Sequence, residues 1–216
     1  MGDEQPAGRP LTPKGAERRA ALVAAGGALF LESGTEGFTH RTVARRAGVP
    51  VSATTYYFDS LDDLLVESVV GLCAAWSDAL SDALRRVPRR LSRAALARTV
   101  VGLTLVGPGT AHGETGEAGE ADEGGGGGAG DRLAVAFYQR SVEAGRHPGL
   151  RPAVRELNQA FEDVVADLLR RTGLDGVVPP RLLLAVLDGA MVRALSEGED
   201  PRSVAVADVR AFLRGR

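Results

Sequence analysis

The chain has few of the residues that tie a fold covalently or carry out chemistry. One cysteine, Cys73, in 216 residues excludes an internal disulfide and any thiolate-built metal site, and suits a reducing compartment. The three histidines, His40, His112 and His147, are scattered and make no metal-ligand spacing. The glycine run Gly124–Gly128 lacks the strand, the Lys and the Ser/Thr of a phosphate-binding loop. No nucleophile is placed with a base, so a catalytic reading finds no support and no cofactor or metal is expected. No apolar run reaches spanning length, and the start, MGDEQPAGRP, lacks an apolar signal region. The expectation is a cytoplasmic, non-enzymatic protein with no membrane partner.

A surplus of basic charge is also missing. The formal net charge is −2, and hydrophobic (44%) and charged (25%) contents are those of an ordinary globular protein. Any nucleic-acid footprint must therefore be local. Between Lys14 and Phe58 it is: Lys14, Arg18, Arg19, Arg41, Arg45 and Arg46 stand against only Glu17, Glu32 and Glu36.

The same stretch holds the most informative local pattern, THRTVARRAGVPVSATTYYF at Thr39–Phe58. Val43, Ala44, Ala47 and Val49 fall on one helical face, and Thr39, three residues before Thr42, is a start signal. Gly48 permits a sharp stop, and Pro50 presets a second short helix through Ser52, Ala53, Thr54, Thr55, Tyr56 and Tyr57. Two short helices joined by a tight Gly-containing turn have the form of a helix-turn-helix. The second helix would enter the major groove of DNA, with Thr and Tyr hydroxyls donating to phosphates.

The remainder reads as helix throughout. Residues 1–12 lack periodicity and are expected to be a disordered tail, either a frayed terminus or a short basic arm carrying Arg9. A first helix presents Ala20, Val23, Ala24, Gly27, Phe30 and Leu31 and ends at Ser33-Gly34; Gly26 and Gly27 suggest close approach of neighbouring helices. Ser60 and Asp63 cap a long helix, Leu61 to Val87, about 40 Å in extent. Ser92–Val106 is the next. Residues 107–131 hold six acids, no Lys or Arg, and the glycine run, so a disordered surface insertion is expected there. It reads first as a tolerated low-complexity insertion, with an acidic flap near an entrance or partner surface as the alternative. Helical pattern resumes at Leu133, and further helices cover Leu150–Arg171, Arg181–Ser196 and Asp200 to about Leu213. The fold class is all-α.

Phe30 and Gly34, Gly37-Phe38-Thr39, Val43-Ala44, Ala47-Gly48-Val49, Tyr56-Tyr57-Phe58 and Leu64-Leu65 together resemble, in order and spacing, the amino-terminal domain of TetR-type (tetracycline-repressor) regulators. The resemblance covers roughly Lys14 to Val70 and is looser beyond. It implies an all-helical homodimer that represses transcription and leaves its near-palindromic operator when a small-molecule effector binds. Domains would run 13–60 for the DNA-binding head, 60–87 for a linking helix and 88–216 for a regulatory and dimerisation body. Carried over by position, DNA contacts fall on Thr39, His40, Arg41, Val51, Ser52, Ala53, Thr55, Tyr56 and Tyr57. Two positions depart from the pattern: Thr55 stands where a tyrosine is usual, and Leu61 where a phosphate-clamping Lys often follows. Fewer fixed charges imply a shallow salt dependence, and a second helix without Asn, Gln, Arg or Lys implies reading of DNA shape. His40 reads as a surface donor. Leu157, Phe161, Val164, Leu168, Leu184, Leu187 and Met191, on two helices with wide apolar faces, are candidates for the dimer interface, although intrachain packing gives a similar pattern. Gly189 and Ala190 are small enough for a second helix to come close. Trp76, Phe137, Tyr138 and Met191 are candidate pocket residues, with core packing as the alternative. The expected function is a ligand-responsive DNA-binding repressor at the nucleoid. The alternative is an activator or architectural DNA binder that uses the acidic insertion for a protein partner.

Overall fold

Nine α-helices and one 3-10 turn make up the regular structure of the described residues, 12–107 and 129–214, in a computed structural model of the chain. They are α1 (Pro13–Ser33), α2 (His40–Ala47), α3 (Ser52–Tyr57), α4 (Leu61–Arg86), α5 (Arg93–Thr104), α6 (Ala129–Arg146), α7 (Arg151–Thr172), α8 (Pro180–Glu197) and α9 (Pro201–Arg214), with the 3-10 turn at Pro148–Leu150. The expected tail, apart from Thr12, lies outside the described residues, as do residues 108–128 of the expected insertion. The remaining end of that insertion is corrected: Ala129–Asp131 begin α6 instead of belonging to a loop. The chain divides into two compact units, 1–71 and 72–216, so the division falls inside α4.

In the first unit, local chemistry sets each helix end. Thr12 accepts a hydrogen bond from the Gly15 amide at 3.2 Å, and Pro13 occupies the first helical position, where a missing N–H costs nothing. α1 stops at Gly34, whose φ of 61° an L side chain rarely adopts. Leu22, Phe30, Phe38, Val43, Phe58, Leu64 and Val69 then form the buried centre. Gly26 is what lets α1 and the start of α4 touch: a Cβ there would sit 2.1 Å from Ser68 Oγ and 2.9 Å from Ser68 Cβ. The Ser68 hydroxyl is buried and donates to the Leu64 carbonyl at 2.6 Å.

Two ion pairs join the same elements. Arg46 of α2 makes a two-pronged contact with Glu32 of α1, at 2.6 and 2.7 Å. Arg19 of α1 reaches Glu67 at 2.5 Å and lies over the Phe58 ring, 4.9 Å from its centre.

The second unit wraps its helices around Leu96, Val100, Val101, Leu150, Leu168, Leu169, Leu183 and Val209, all buried. α8 packs most extensively on α9, and α7 lies against α5, α6 and α8. Six of the seven candidate interface residues belong to this core. Leu157, Phe161, Val164, Leu168, Leu187 and Met191 are buried by their own chain, so a second copy has no surface of theirs left to cover. Only Leu184 is half-exposed. The wide apolar faces of α7 and α8 meet α5, α6, α9 and each other.

Among the described residues, α4 alone is long and apolar enough to raise the question of a membrane span. Its 26 residues include an 18-residue window of mean hydropathy 1.4, long and apolar enough by length and composition to cross a membrane. No uninterrupted apolar run in it reaches spanning length, because Asp62, Asp63, Glu67, Asp78 and Asp82 interrupt the sequence. Leu64, Leu65, Val69, Leu72, Trp76 and Leu80 are buried within the protein, as in an amphipathic core helix.

Candidate nucleic-acid interface and body cavity

α2 and α3 stand where the sequence places them, and their termini explain why. Thr39 Oγ1 accepts from the Thr42 amide at 3.1 Å, while Thr42 Oγ1 accepts from the Thr39 amide at 2.9 Å. This reciprocal cap satisfies two amides that a helix start leaves open, worth about 1 kcal/mol. Gly48 closes α2 in the left-handed conformation (φ 67°, ψ 29°) and donates back to Ala44 and Arg45. Pro50 and Val51 then turn the chain into α3, with the Pro50 carbonyl taking the Ala53 amide at 2.9 Å.

The turn sorts the hydroxyls of α3. Thr54 is fully buried, and its hydroxyl is satisfied locally by donating to the Val51 carbonyl at 2.7 Å. Val51, Ser52, Thr55 and Tyr56 face outward, Tyr56 with 77% of its surface exposed. Tyr57 is half-buried and meets Tyr56 edge-on at 4.8 Å, and Ala53 is half-buried too. Thr39 and Arg41 are exposed at the start of α2. His40 differs from the expected surface donor: it is half-buried, and its Nδ1 is shielded with no partner. Of the six bases counted in this region, Arg19 and Arg46 are paired with Glu67 and Glu32, which leaves a smaller basic face than the sequence count suggests.

The second unit contains a cavity of about 720 Å³ between α6, α7 and α8. Phe137 is its aromatic centre, meeting Trp76, Tyr138 and Phe161 edge-on at 5.6, 5.3 and 5.2 Å. The Arg140 guanidinium lies 3.5 Å from the centre of the Phe137 ring. Arg140 is 1% exposed, yet its hydrogen-bond partners are all neutral: the Phe137 carbonyl, Ser141 Oγ at 3.2 Å and Asn158 Oδ1 at 3.0 Å. Its Nε is buried without a partner. Burial pushes the Arg140 guanidinium down to about 10, so it stays charged at neutral pH. Nearby, the Tyr138 hydroxyl donates to Asp188 Oδ1 at 2.9 Å. Burial raises the Asp188 carboxyl, opposed by that hydrogen bond and by Arg140, and burial beside Asp188 raises the Tyr138 phenol. Arg181 bridges to Glu162 at 3.0 Å, joining α8 to α7. Among the described residues no three His, Cys, Asp or Glu side chains are grouped to hold a metal.

Two family profiles match this chain. Residues 22–67 match bacterial regulatory proteins of the tetR family, and residues 125–215 match the tetracyclin repressor-like C-terminal domain. The chain belongs to the TetR family of transcriptional regulators. No curated protein matches it. Among solved structures, a transcriptional regulator from Rhodococcus sp. RHA1 is 24% identical, with a TM-score of 0.62 over 91% of this chain and 96% of that one. The multidrug binding protein EbrR, in complex with proflavin, is 28% identical, with a TM-score of 0.55 over 89% of this chain and 98% of that one. A transcriptional regulator from Saccharomonospora viridis, in complex with choline, is 17% identical, with a TM-score of 0.62 over 93% and 95% of the two chains.

Within this TetR-family body, the candidate pocket residues separate. Phe137 and Tyr138 are on the cavity wall. Trp76 and Met191 are not: Met191 is fully buried, and Trp76 sits behind Phe137 with its indole N–H given to the Val106 carbonyl at 2.6 Å. Gly189 is exposed, a Cβ there would meet nothing of its own chain within 4 Å, and the residue lines the cavity. Sequence reasoning missed Arg140, Asn158 and Asp188. A signal for Arg140 existed, because it lies three residues after Phe137 and four after Ala136, on the apolar stripe of α6.

Proposed function

We propose that this TetR-family regulator is a repressor that leaves its operator when a small molecule enters the body cavity. The observation that carries the reading is a cavity of about 720 Å³, within the range of small-molecule sites, in a chain that also has a helix-turn-helix head. The similarity to EbrR, a multidrug binding protein solved with proflavin, supports occupation of this body by small molecules.

On the DNA side, Thr39 and Arg41 would meet the backbone or a guanine edge from the start of α2. Val51, Ser52, Ala53, Thr55, Tyr56 and Tyr57 would enter the major groove on α3, Val51 and Ala53 against thymine methyls. His40 contributes through its backbone at the cap. Dimerisation is typical of the family. Here it would draw on Leu182, exposed on α8, and on Leu184 and Val192, which also line the cavity, so the interface and the cavity share part of the α8 face. A two-fold dimer presents two α3 helices to half-sites about 34 Å apart on a near-palindromic operator in the cytoplasmic nucleoid. Release follows from reciprocal coupling: the effector favours a body conformation that operator DNA disfavours.

The test is retardation of promoter fragments from the source genome by purified protein, followed by challenge with a metabolite panel. A compound that raises the melting temperature of the free protein and lowers its operator affinity supports the repressor. DNA binding that no stabilising compound weakens would indicate a regulator without an effector, and failure to retard any fragment would refute DNA binding itself.

A further inference from the structure

The proposed effector cavity carries more chemical information than its size. Its wall contains five charged side chains: Arg140, Arg181, Arg193, Glu162 and Asp188. Arg181 is paired with Glu162, and Arg193 with Asp208 at 2.9 Å. Two remain. Asp188 already receives the Tyr138 hydroxyl on Oδ1. Arg140 feels the Asp188 charge but no carboxylate bonds to it: the buried guanidinium is held by a carbonyl, a hydroxyl and an amide oxygen, and its Nε–H has no acceptor. A buried cation whose hydrogen bonds all go to neutral groups is an incomplete arrangement that an anionic acceptor completes.

The same geometry argues against a cationic ligand. The Phe137 face, which an organic cation would use, already carries the Arg140 guanidinium at 3.5 Å from the ring centre. A cation at that ring face would meet the like charge of Arg140.

Resting on the reading of this cavity as the effector site, we propose that the effector is an organic anion, a carboxylate on an aromatic or apolar body. Arg140 takes the carboxylate, and Phe137, Tyr138 and Phe161 enclose the body. Asp188, held by Tyr138, sets the charge balance and keeps the empty site from carrying an uncompensated cation.

The test uses the full chain and three matched probes: 2-naphthoate, 2-naphthamide and 2-naphthylmethylamine, each titrated by calorimetry. The carboxylate is expected to bind tightest. Arg140→Gln weakens it on the order of 10-fold or more, the loss expected for a hydrogen bond to a charged group, and affects the amide far less. Because Arg140 is buried and its variant can fail to fold, Asp188→Asn supplies a second, sign-based criterion. It retains an acceptor for Tyr138 but removes a negative charge, so the carboxylate binds several-fold tighter and the amine no better. The proposal is overturned if the amine outcompetes the carboxylate, if Asp188→Asn weakens the carboxylate, or if no probe binds. Operator retardation with the bound carboxylate separates the two readings: binding at Arg140 without release from DNA upholds the anion site and refutes ligand-driven derepression.

Discussion

Gly26→Ala tests how closely the head is packed. The added methyl would lie 2.1 Å from Ser68 Oγ and 2.9 Å from Ser68 Cβ, and the Phe38 ring is 3.3 Å away. Ser68 is not free to yield, since its hydroxyl is buried and bonded to the Leu64 carbonyl at 2.6 Å. Overpacking a core by one methyl costs about 1–3 kcal/mol, and contacts this short belong at the top of that range. Alanine recovers about 1 kcal/mol through its better helix propensity. The net expectation is a loss of about 2 kcal/mol, or roughly 4–8 °C in Tm for a chain of this length. Thermal and urea unfolding followed by far-UV circular dichroism measures it. Adding Ser68→Ala removes the 2.1 Å contact but leaves the one to Cβ, so the double variant should recover part of the loss and depart from additivity by at least about 0.5 kcal/mol. A Gly26→Ala protein as stable as the wild type, or two strictly additive substitutions, would show that α1 and α4 do not meet this closely.

Other expectations concern the interface and the body. Tyr56→Phe removes an exposed hydroxyl and should weaken operator binding by about fivefold, the worth of one modest hydrogen bond, with Tm unchanged; equal affinity in mobility-shift titrations refutes the phosphate contact. Arg41→Ala should reduce the slope of log affinity against log salt by about 1, and an unchanged slope places Arg41 away from DNA. Trp76→Phe strands the buried Val106 carbonyl and should cost about 1–3 kcal/mol, checked by urea unfolding. Burial raises the Asp188 carboxyl above its unfolded value, so its contribution is fully present below that value and is lost as pH rises through the raised one. Melting curves across the carboxylate range should therefore find the wild type losing stability relative to Asp188→Asn as pH climbs, and a flat difference contradicts the shift.

What could be read from the sequence follows a physical boundary. α2 and α3 were legible because Thr39, Gly48 and Pro50 act within a few residues of themselves. The long α4 was legible because Ser60, Asp63 and Leu61–Val87 combine a cap with a sustained helical period. The start of α6 at Ala129 was not, since glycine-rich surroundings carry no apolar period to extend backward from Leu133. Leu157, Phe161 and Met191 fit a second copy or their own core equally by sequence, because an apolar face does not say which surface covers it. Trp76 and Met191 look like pocket residues by type, whereas only tertiary placement assigns one to the Val106 carbonyl and the other to the core. Arg140 drew no notice because its meaning depends on Asn158 and Asp188, one and two helices further on.

The Arg46–Glu32 clamp bears on how selective this head can be. It pins α2 to α1 and, in the same contact, withdraws a cation from the set available to a polyanion. Losing Glu32 would therefore push in two directions, toward a looser scaffold and a stickier one. Any gain in grip would apply to every sequence alike, while the geometry that tells sequences apart would suffer. On the proposed DNA-binding reading, an acid that weakens general adhesion in this way would help to hold the regulator at its proper address among a genome of near misses.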